Sequence, residues 1–245
     1  MTNKLIQPIK KRVKSLLRSA GIEVSRYSIE NSRVLRSGAR LNAANVDLVL
    51  DIGANIGQFS LELREAGYNN RIISFEPLSD AYLKLLENSK EDPKWEIAPR
   101  CGLGSSSKTA HINVSGNSWS SSFLQITKNH TIAAPSSAYI ASEKVSIFTL
   151  DELMQNEVSQ SKRPYLKIDT QGYELEVLEG AKEVLTYLCG VQLEISLQPL
   201  YEGQPELLEI IDKVTKLGFE LYDLEPEFYD KQNGRLMQLN AIFIK

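Results

Sequence analysis

Short apolar runs alternate with amphipathic segments from about residue 46 to the end of the chain. The runs predict strands at 47–52, 71–75, 95–98, 165–168, 191–195, 219–222 and 239–244. Helical periodicity predicts helices at 57–66, 80–88, 174–187 and 205–217, and a capping box at Thr149 and Glu152 begins another. Strands that alternate with helices indicate a mostly parallel sheet covered on both faces. Only a turn at 230–234 separates the last two runs, so the final strand is predicted to be antiparallel.

Two further segments have a different pattern. Residues 4–19 place apolar side chains at helical spacing opposite a face of lysines and arginines, which predicts an amphipathic helix. Residues 25–45 are polar and predict a connector, while the serine-rich span 101–148 predicts strand pieces at 109–114 and 145–148 with a mobile loop between them. We therefore expect a basic helix and connector at 1–45 and one α/β domain at 46–245.

The composition, 42% hydrophobic and 24% charged, is that of a globular chain and excludes a disordered or low-complexity protein. The two cysteines are far apart, so neither a disulfide framework nor a zinc site is expected. No run of about 18 apolar residues occurs, and the N-terminus lacks the apolar run of a signal peptide. A cytoplasmic protein is therefore expected.

The net charge of −3 is the sum of two unlike parts. Residues 1–40 carry ten basic side chains against two acidic ones, and the other 205 residues carry 18 basic and 29 acidic ones. The basic helix at 4–19 has two interpretations that we weigh equally. It anchors the protein peripherally at an anionic membrane surface, or it docks on its own domain or on a second subunit of a homo-oligomer. Nucleic-acid binding is not expected, because the remainder of the chain is acidic.

A glycine turn follows the first predicted strand in the run Asp51-Ile52-Gly53-Ala54-Asn55-Ile56-Gly57. The two glycines permit a tight turn, Asp51 offers a carboxylate at the strand tip, and Glu76 at the end of the second strand is placed to accept ribose hydroxyls. The spacing lacks the middle glycine of a dinucleotide site, and a carboxylate there repels pyrophosphate but favours an ammonium. The pattern therefore favours S-adenosylmethionine over NAD.

Two more acids lie at strand ends. Asp169 follows the strand at 165–168, and Glu194 interrupts the apolar strand at 191–195. An unpaired carboxylate in a buried strand is costly, so Glu194 requires Lys167, a metal or the substrate as its partner. A purely structural Lys167–Glu194 pair is the alternative.

Several runs together resemble the FkbM-type methyltransferases, which are S-adenosylmethionine-dependent O-methyltransferases of the class I fold: DIGANIGQFS, FEP, TLDEL, KIDTQGYELEVLEGA and LEISLQPLYEGQ. The resemblance covers roughly residues 46–245 and implies a Rossmann-like seven-stranded sheet with an antiparallel last strand. It also implies methylation of a hydroxyl on a sugar, a glycan, a lipid-linked sugar or another natural product. By the same resemblance, Asp51, Gly53, Asn55 and Gly57 would line the methionyl and ribose region. Glu76 would bind the ribose, Cys101 and Gly102 would flank the adenine, and Asp169 would lie beside the sulfonium.

Methyl transfer to an alcohol requires a group that takes its proton. His130, in the predicted loop over the site, is one candidate for this base, whereas His111 lies inside a predicted strand and is expected to be structural. Alternatively, Asp169, Glu174 and Glu194 hold Mg²⁺, which lowers the acceptor's pKa. Two other functions stay open: an inactive binding or assembly module of the same fold, and an NAD-dependent oxidoreductase, which the missing glycine disfavours.

Overall fold

The computed structural model describes residues 3–245, with side chains from residue 11 onward. Nine α-helices lie in the described chain: α1 Asn3–Ser19, α2 Arg33–Ala43, α3 Gln58–Glu65, α4 Ser79–Ser89, α5 Lys128–Ala133, α6 Leu150–Gln160, α7 Glu174–Glu179, α8 Val184–Tyr187 and α9 Leu207–Lys216. The strands are β1 Leu48–Ile52, β2 Arg71–Phe75, β3 Trp95–Ile97, β4 Gly102–Leu103, β5 Lys108–Ser115, β6 Tyr139–Phe148, β7 Pro164–Ile168, β8 Gly190–Ser196, β9 Glu220–Tyr229 and β10 Leu236–Ile244. From Asn3 onward, no helix combines the length and apolar character required to cross a membrane.

Seven strands form one sheet in the order β3-β2-β1-β7-β8-β10-β9. The first five are parallel, and β10 pairs antiparallel with both β8 and β9. The predicted α/β class and the antiparallel last strand are therefore confirmed. Strand β1 lies between β2 and β7, so the strand order reverses there, and crevices for ligands form beyond the carboxyl ends of such neighbouring strands.

The sheet separates two hydrophobic clusters because side chains alternate between its faces. Leu48, Leu50 and Ile52 of β1 point to the face covered by α6, α7, α8 and α9. Val49 points to the opposite face, where Leu41 of α2 and Leu63 of α3 pack. Helices α2 and α3, which precede and follow β1 in the chain, therefore cover the second face.

Helix α2 lies within the span predicted as a connector, so that prediction missed an element. Ser32 caps the helix by accepting a hydrogen bond from the backbone N–H of Leu35. The helix is polar, but it buries Leu41 and places Arg36 and Arg40 against acidic side chains of β9. Its stability therefore depends on contacts with a strand almost 190 residues later, which a local pattern does not reveal. The division at residue 45 stays a prediction.

Two other predicted segments differ in detail. The helix expected at 174–187 is two helices, because the chain turns at Gly180, where a β-carbon would lie 2.0 Å from the carbonyl oxygen of Gly104. The serine-rich span holds a three-stranded sheet in the order β4-β6-β5, and α5 lies between β5 and β6. The predicted helix start is observed, since Thr149 caps α6 by accepting from the N–H of Glu152. The Glu152 carboxylate accepts from the Ser107 hydroxyl instead of closing the capping box.

Candidate active site

A cavity of about 680 Å³ lies beyond the carboxyl ends of the parallel strands. Its walls are the segments that follow β1, β2 and β7, the ends of β8, β9 and β10, the span 117–136, and part of α2. Eight of the residues predicted for the site line it: Gly53, Asn55, Glu76, Gly102, His130, Lys167, Asp169 and Glu194. Four others, Asp51, Gly57, Cys101 and Glu174, do not.

Asp51 does not line the cavity, unlike the other predicted contacts Gly53, Asn55 and Glu76. Its side chain points to the sheet face opposite Leu50 and Ile52, beneath α3, where Asp51 is 0% exposed. Ser60 donates to Oδ2 over 3.1 Å, and the Lys167 ammonium lies 3.0 Å from Oδ1. A cation of the protein thus already satisfies this carboxylate.

Lys167 pairs with Asp51 and Asp169, and the predicted Lys167–Glu194 ion pair is absent from the described chain. Its Nζ lies 3.6 Å from Oδ2 of Asp169 and donates to the Gly53 carbonyl over 3.3 Å. Burial alone would lower the pKa of Lys167, but the two carboxylates outweigh it and raise that pKa above its usual value. Lys167 therefore stays an ammonium and orients the loops after β1 and β7.

The two turn glycines are required by packing of the protein on itself. Gly53 has a φ of +73°, and a β-carbon there would lie 1.9 Å from the carbonyl oxygen of Asp169. Gly57, which precedes α3, has a φ of +93°, and its β-carbon would lie 2.5 Å from the Trp95 ring. The loops after β1 and β7 are therefore held in contact, and this contact places Asn55 and Asp169 on one cavity.

Glu76 is buried at the end of β2, and its carboxylate accepts backbone hydrogen bonds. The N–H of Asn55 donates to one oxygen over 2.7 Å, and the N–H of Leu78 donates to the other over 2.8 Å. Burial raises the pKa of Glu76 to about 7, although both amides act in the opposite direction. Each oxygen of the ionised carboxylate has capacity for a further donor, and Glu76 lines the cavity.

Gln171 joins the acids of β7 and β8, and no pattern in the sequence had pointed to it. Its side-chain amide donates to Asp169 over 2.9 Å and also to Glu194, while its carbonyl accepts from the Tyr201 hydroxyl over 2.6 Å. Gln238 donates to the same Glu194 oxygen over 2.7 Å. Burial and the nearby carboxylates raise the pKa of Glu194 well above its usual value. Amides, rather than Lys167, therefore partner this acid.

The three proposed metal ligands do not form a cation site among the residues described, where no group of three such side chains has that arrangement. Glu174 accepts from the backbone N–H groups of Thr170 and Gly172, so its carboxylate holds the loop after β7. Burial raises its pKa to about 7. Asp169 alone of the three has substantial exposure, with 32% of its side chain accessible.

His130 lies in α5, is only 2% exposed and lines the cavity. Its ring meets the edge of Tyr201 at 5.2 Å between centroids, and Nδ1 has no hydrogen-bond partner. Burial lowers the pKa of His130 to about 4, although the backbone of Leu200 acts in the opposite direction. The expected mobile loop thus contains a short helix that places a neutral imidazole on the cavity wall.

The two residues predicted to flank an adenine are placed differently. Gly102 lines the cavity beside Phe123, whereas Cys101 points into the main hydrophobic cluster and is 3% exposed. Burial raises the pKa of the Cys101 thiol to about 11, so it is an inert core side chain. Only Gly102 of this pair faces the cavity.

The cavity has an excess of acidic groups. Its cationic side chains are Arg33, Lys167 and Lys231, and its carboxyl side chains are Glu62, Glu76, Asp169, Glu194, Glu225 and Glu227. A cationic ligand is therefore favoured over an anionic one. Arg33, Glu225, Glu227, Gln238 and Asn240 are lining residues that the sequence had not indicated, because they lie in α2, β9 and β10, far from the glycine turn.

The strand order, the antiparallel strand inserted before the last position and the crevice between β1 and β7 define a Rossmann-like class I methyltransferase fold. The chain also matches the Methyltransferase FkbM domain over residues 51–221. It therefore belongs to the FkbM methyltransferase family, as the sequence motifs predicted.

One similar curated protein is the hexuronic acid methyltransferase AglP of Haloferax volcanii, 31% identical over 150 residues. The alignment covers 61% of this chain and 56% of AglP, so the chain matches little more than half of that relative. The solved Burkholderia thailandensis 1,6-didemethyltoxoflavin-N1-methyltransferase has a TM-score of 0.46 and 10% identity, covering 100% of this chain and 90% of that one. Aeropyrum pernix fibrillarin has a TM-score of 0.45 and 11% identity, covering 81% and 66%. At such scores, neither structure bears on the activity of this chain.

Proposed function

We propose that this protein is an S-adenosylmethionine-dependent O-methyltransferase that acts on a hydroxyl of a sugar, a glycan or a related natural product. The observation that carries the proposal is the acidic cavity at the β1–β7 crevice of a chain in the FkbM methyltransferase family. The name of AglP, a hexuronic acid methyltransferase, supports a sugar acceptor.

The cavity residues fit this cofactor. Glu76 has a free lone pair on each oxygen for the ribose hydroxyls, and Asn55 and Gly102 line the same region. The excess of carboxyl side chains suits a ligand with a sulfonium and an ammonium, and it disfavours the pyrophosphate of NAD. Asp51 contributes indirectly, by fixing Lys167 beneath the loops.

When bound, the cofactor supplies an electrophilic methyl group, and the protein must align the acceptor oxygen and remove its proton. Gln171 and Lys167 hold Asp169 at the cavity, and we assign its carboxylate a position beside the reacting atoms. His130 has a neutral ring and an unpartnered Nδ1, which is the lone pair that we assign as proton acceptor. Glu194 and Lys167 act as positioning residues, because two amides hold Glu194 and two carboxylates hold Lys167.

A calorimetric titration of the full chain tests the cofactor. S-adenosylhomocysteine should bind and NAD should not. The opposite result would support the NAD-dependent oxidoreductase and refute the proposal. An inactive module would bind S-adenosylhomocysteine yet transfer no label from methyl-labelled cofactor to any hydroxyl acceptor.

The base assignment has a matched control in the second histidine. His130→Ala should lower the rate of methyl transfer by about 100-fold, the lower end of what a general base contributes. His111→Ala should leave that rate unchanged, because His111 is exposed on β5. Full activity of the His130 variant would refute the base assignment. Loss of activity with EDTA and its recovery with Mg²⁺ would instead support a metal at Asp169.

We also propose that α1 binds an anionic membrane surface. Val13 and Leu16 lie on its apolar face and are 50% and 72% exposed, beside exposed Lys11, Arg12 and Lys14. The full chain should therefore sediment with anionic liposomes but not with neutral ones. A variant without residues 1–25 that sediments equally well with anionic liposomes would refute this anchor. A full chain that sediments at equilibrium as an oligomer, and a deletion variant that sediments as a monomer, would favour docking between subunits.

A further inference from the structure

Polar side chains cross three neighbouring strands on the cavity side of the sheet. Asn240 of β10 pairs in register with Glu194 of β8 and with Glu225 of β9, so all three point to one face. Gln192 and Gln238 lie on the same face, and all five residues are 2–8% exposed and line the cavity. We name these five residues the polar wall.

Hydrogen bonds within the protein satisfy only part of the polar wall. Gln192 donates to the Asn240 carbonyl over 3.2 Å, and Asn240 donates to Glu227 over 3.0 Å. Oε2 of Glu225, however, has no hydrogen-bond partner, although the residue is only 2% exposed. A buried polar atom without a partner is costly, and a bound ligand would remove that cost.

The second such atom on this cavity is Nδ1 of His130. Among the described side chains, the other buried atoms without a hydrogen bond belong to Arg40, Asp51 and Tyr165; the Asp51 atom is the one that pairs with the Lys167 ammonium, and none of the three residues lines the cavity. A carboxylate oxygen and an imidazole nitrogen with a lone pair both accept hydrogen bonds. Both atoms are closed to solvent in this structure, so a ligand reaches them only when neighbouring side chains move aside. A ligand that satisfies both must present at least two donors, as a polyhydroxylated ring does.

The cations beside the polar wall are already paired with carboxylates of the protein. Arg33 contacts Glu62 over 3.1 Å and also contacts Glu227. Arg36 contacts Glu225 over 3.0 Å, and Arg40, the neighbouring arginine of α2, lies 3.7 Å from the same residue. An anionic substituent on the ligand would have to break these pairs in a cavity that is already acidic, which makes its binding unfavourable.

We propose that the polar wall is the subsite for the methyl acceptor and that it takes an uncharged sugar ring, whose hydroxyls donate to Glu225 and His130. This inference rests on the proposed function and names its substrate class. It also predicts a difference from AglP, whose name specifies a hexuronic acid. Glu225, Gln238 and Asn240 lie outside residues 51–221, so the acceptor subsite uses parts of the chain beyond the family match.

Ligand binding by saturation-transfer NMR tests the assignment on the full chain loaded with S-adenosylhomocysteine. The neutral probes are the methyl glycosides of glucose, galactose and mannose, and the anionic probes are glucuronate and galacturonate. Saturation-transfer signals, which report binding, should appear for the neutral glycosides and not for the uronates. Preferred binding of the uronates would overturn the proposal, and so would the binding of no neutral glycoside. If the wild-type chain fails to bind S-adenosylhomocysteine, the proposed function itself is refuted.

Three variants place the ligand on the polar wall. Glu225→Gln should weaken binding of the neutral glycoside by at least about tenfold, the loss of one hydrogen bond to a charged acceptor in a buried site. Asn240→Ala should weaken it less, because Asn240 acts only by holding Gln192 and Glu227 in place. The matched control is Glu220→Gln, an exposed position on β9, which should change nothing. Retained binding of S-adenosylhomocysteine would show that the variants are folded. Wild-type affinity for the glycoside in both wall variants would refute the subsite.

Lys231 offers the opposing test, since it is the one cavity cation that lies exposed in the turn between β9 and β10 within the described chain. Lys231→Ala should leave binding of the neutral glycosides unchanged. If the wild-type chain binds a uronate, and Lys231→Ala loses that binding while the wall variants keep it, the acceptor is anionic and the proposal is wrong.

Discussion

The buried imidazole of His130 makes folding stability depend on pH in a way that one substitution isolates. Glutamine at position 130 keeps a polar side chain but does not titrate. Burial lowers the pKa of His130 from 6.5 to about 4, so the folded state resists protonation where the unfolded chain accepts it. His130→Gln removes this difference and leaves other ionisable groups in place.

The magnitude follows from the size of the pKa shift. At about 1.4 kcal/mol per pKa unit, a change from 6.5 to about 4 corresponds to at most about 3 kcal/mol of unfolding free energy. Because the folded pKa is lower than the unfolded one, this stabilisation is complete above pH 6.5 and is lost as the pH falls through about 4.

Two buried carboxyl groups act in the opposite direction over the same range. Burial raises the pKa values of Glu76 and Glu174 from 4.5 to about 7, so their contribution is complete below pH 4.5 and is lost as the pH rises through about 7. The wild-type stability curve therefore mixes opposing slopes. Only the difference between wild type and the His130 variant at each pH isolates the imidazole.

Urea unfolding followed by circular dichroism, between about pH 4 and pH 8, measures that difference. The unfolding free energy of wild type minus that of His130→Gln should decrease by up to about 3 kcal/mol from pH 7 to pH 4. His111→Gln, on the exposed side of β5, is the matched substitution of the other histidine and controls for the loss of an imidazole as such. Parallel curves for wild type and the His130 variant would show that the ring titrates normally and would refute its burial as a neutral group.

Three further substitutions probe the cavity. Gly53→Ala should destabilise the fold by several kcal/mol in thermal unfolding, because the added β-carbon would overlap the Asp169 carbonyl. The control is Gly67→Ala, which has a φ of +82° but open space around it and should cost only about 1–2 kcal/mol. Lys167→Met should lower the free energy of unfolding in urea by about 3–5 kcal/mol, because Asp51 is left buried and unpaired. Adding Asp51→Asn should recover much of that loss, whereas additive losses of unfolding free energy in the double variant would refute the pairing. Glu76→Gln should weaken S-adenosylhomocysteine at least about tenfold in calorimetry, and unchanged affinity would remove Glu76 from the ribose site.

The central elements of the fold could be predicted because their patterns are local. Strands β1, β2 and β7 are buried apolar runs bounded by turn residues, and the structure places them within a residue or two of their predicted positions. Helix α2 could not be predicted in this way. Three arginines are interspersed among its apolar residues, and they find carboxylate partners on β9, at the other end of the chain.

The site was predictable in position but not in side-chain direction. The glycine turn and the acids after β2 and β7 do lie around one cavity. Whether a strand residue faces the cavity, however, depends on the alternation of the sheet and on what covers each face. Asp51 occupies the end of β1 yet points beneath α3, to Ser60, and Gln171 gains its importance only from the acids that the register of β7 and β8 brings to it.

An acid in a buried strand indicates where electrostatic compensation is needed, and the compensation decides the role of that acid. Asp51 receives Lys167, and Glu194 receives the amides of Gln171 and Gln238. These carboxylates therefore have protein partners and hold the cavity in shape. Glu225 is different, because one of its oxygens pairs with arginines of α2 while the other has no partner beside the cavity. The incomplete pairing of Glu225, rather than the presence of an acid alone, is what indicates a ligand at this end of the site.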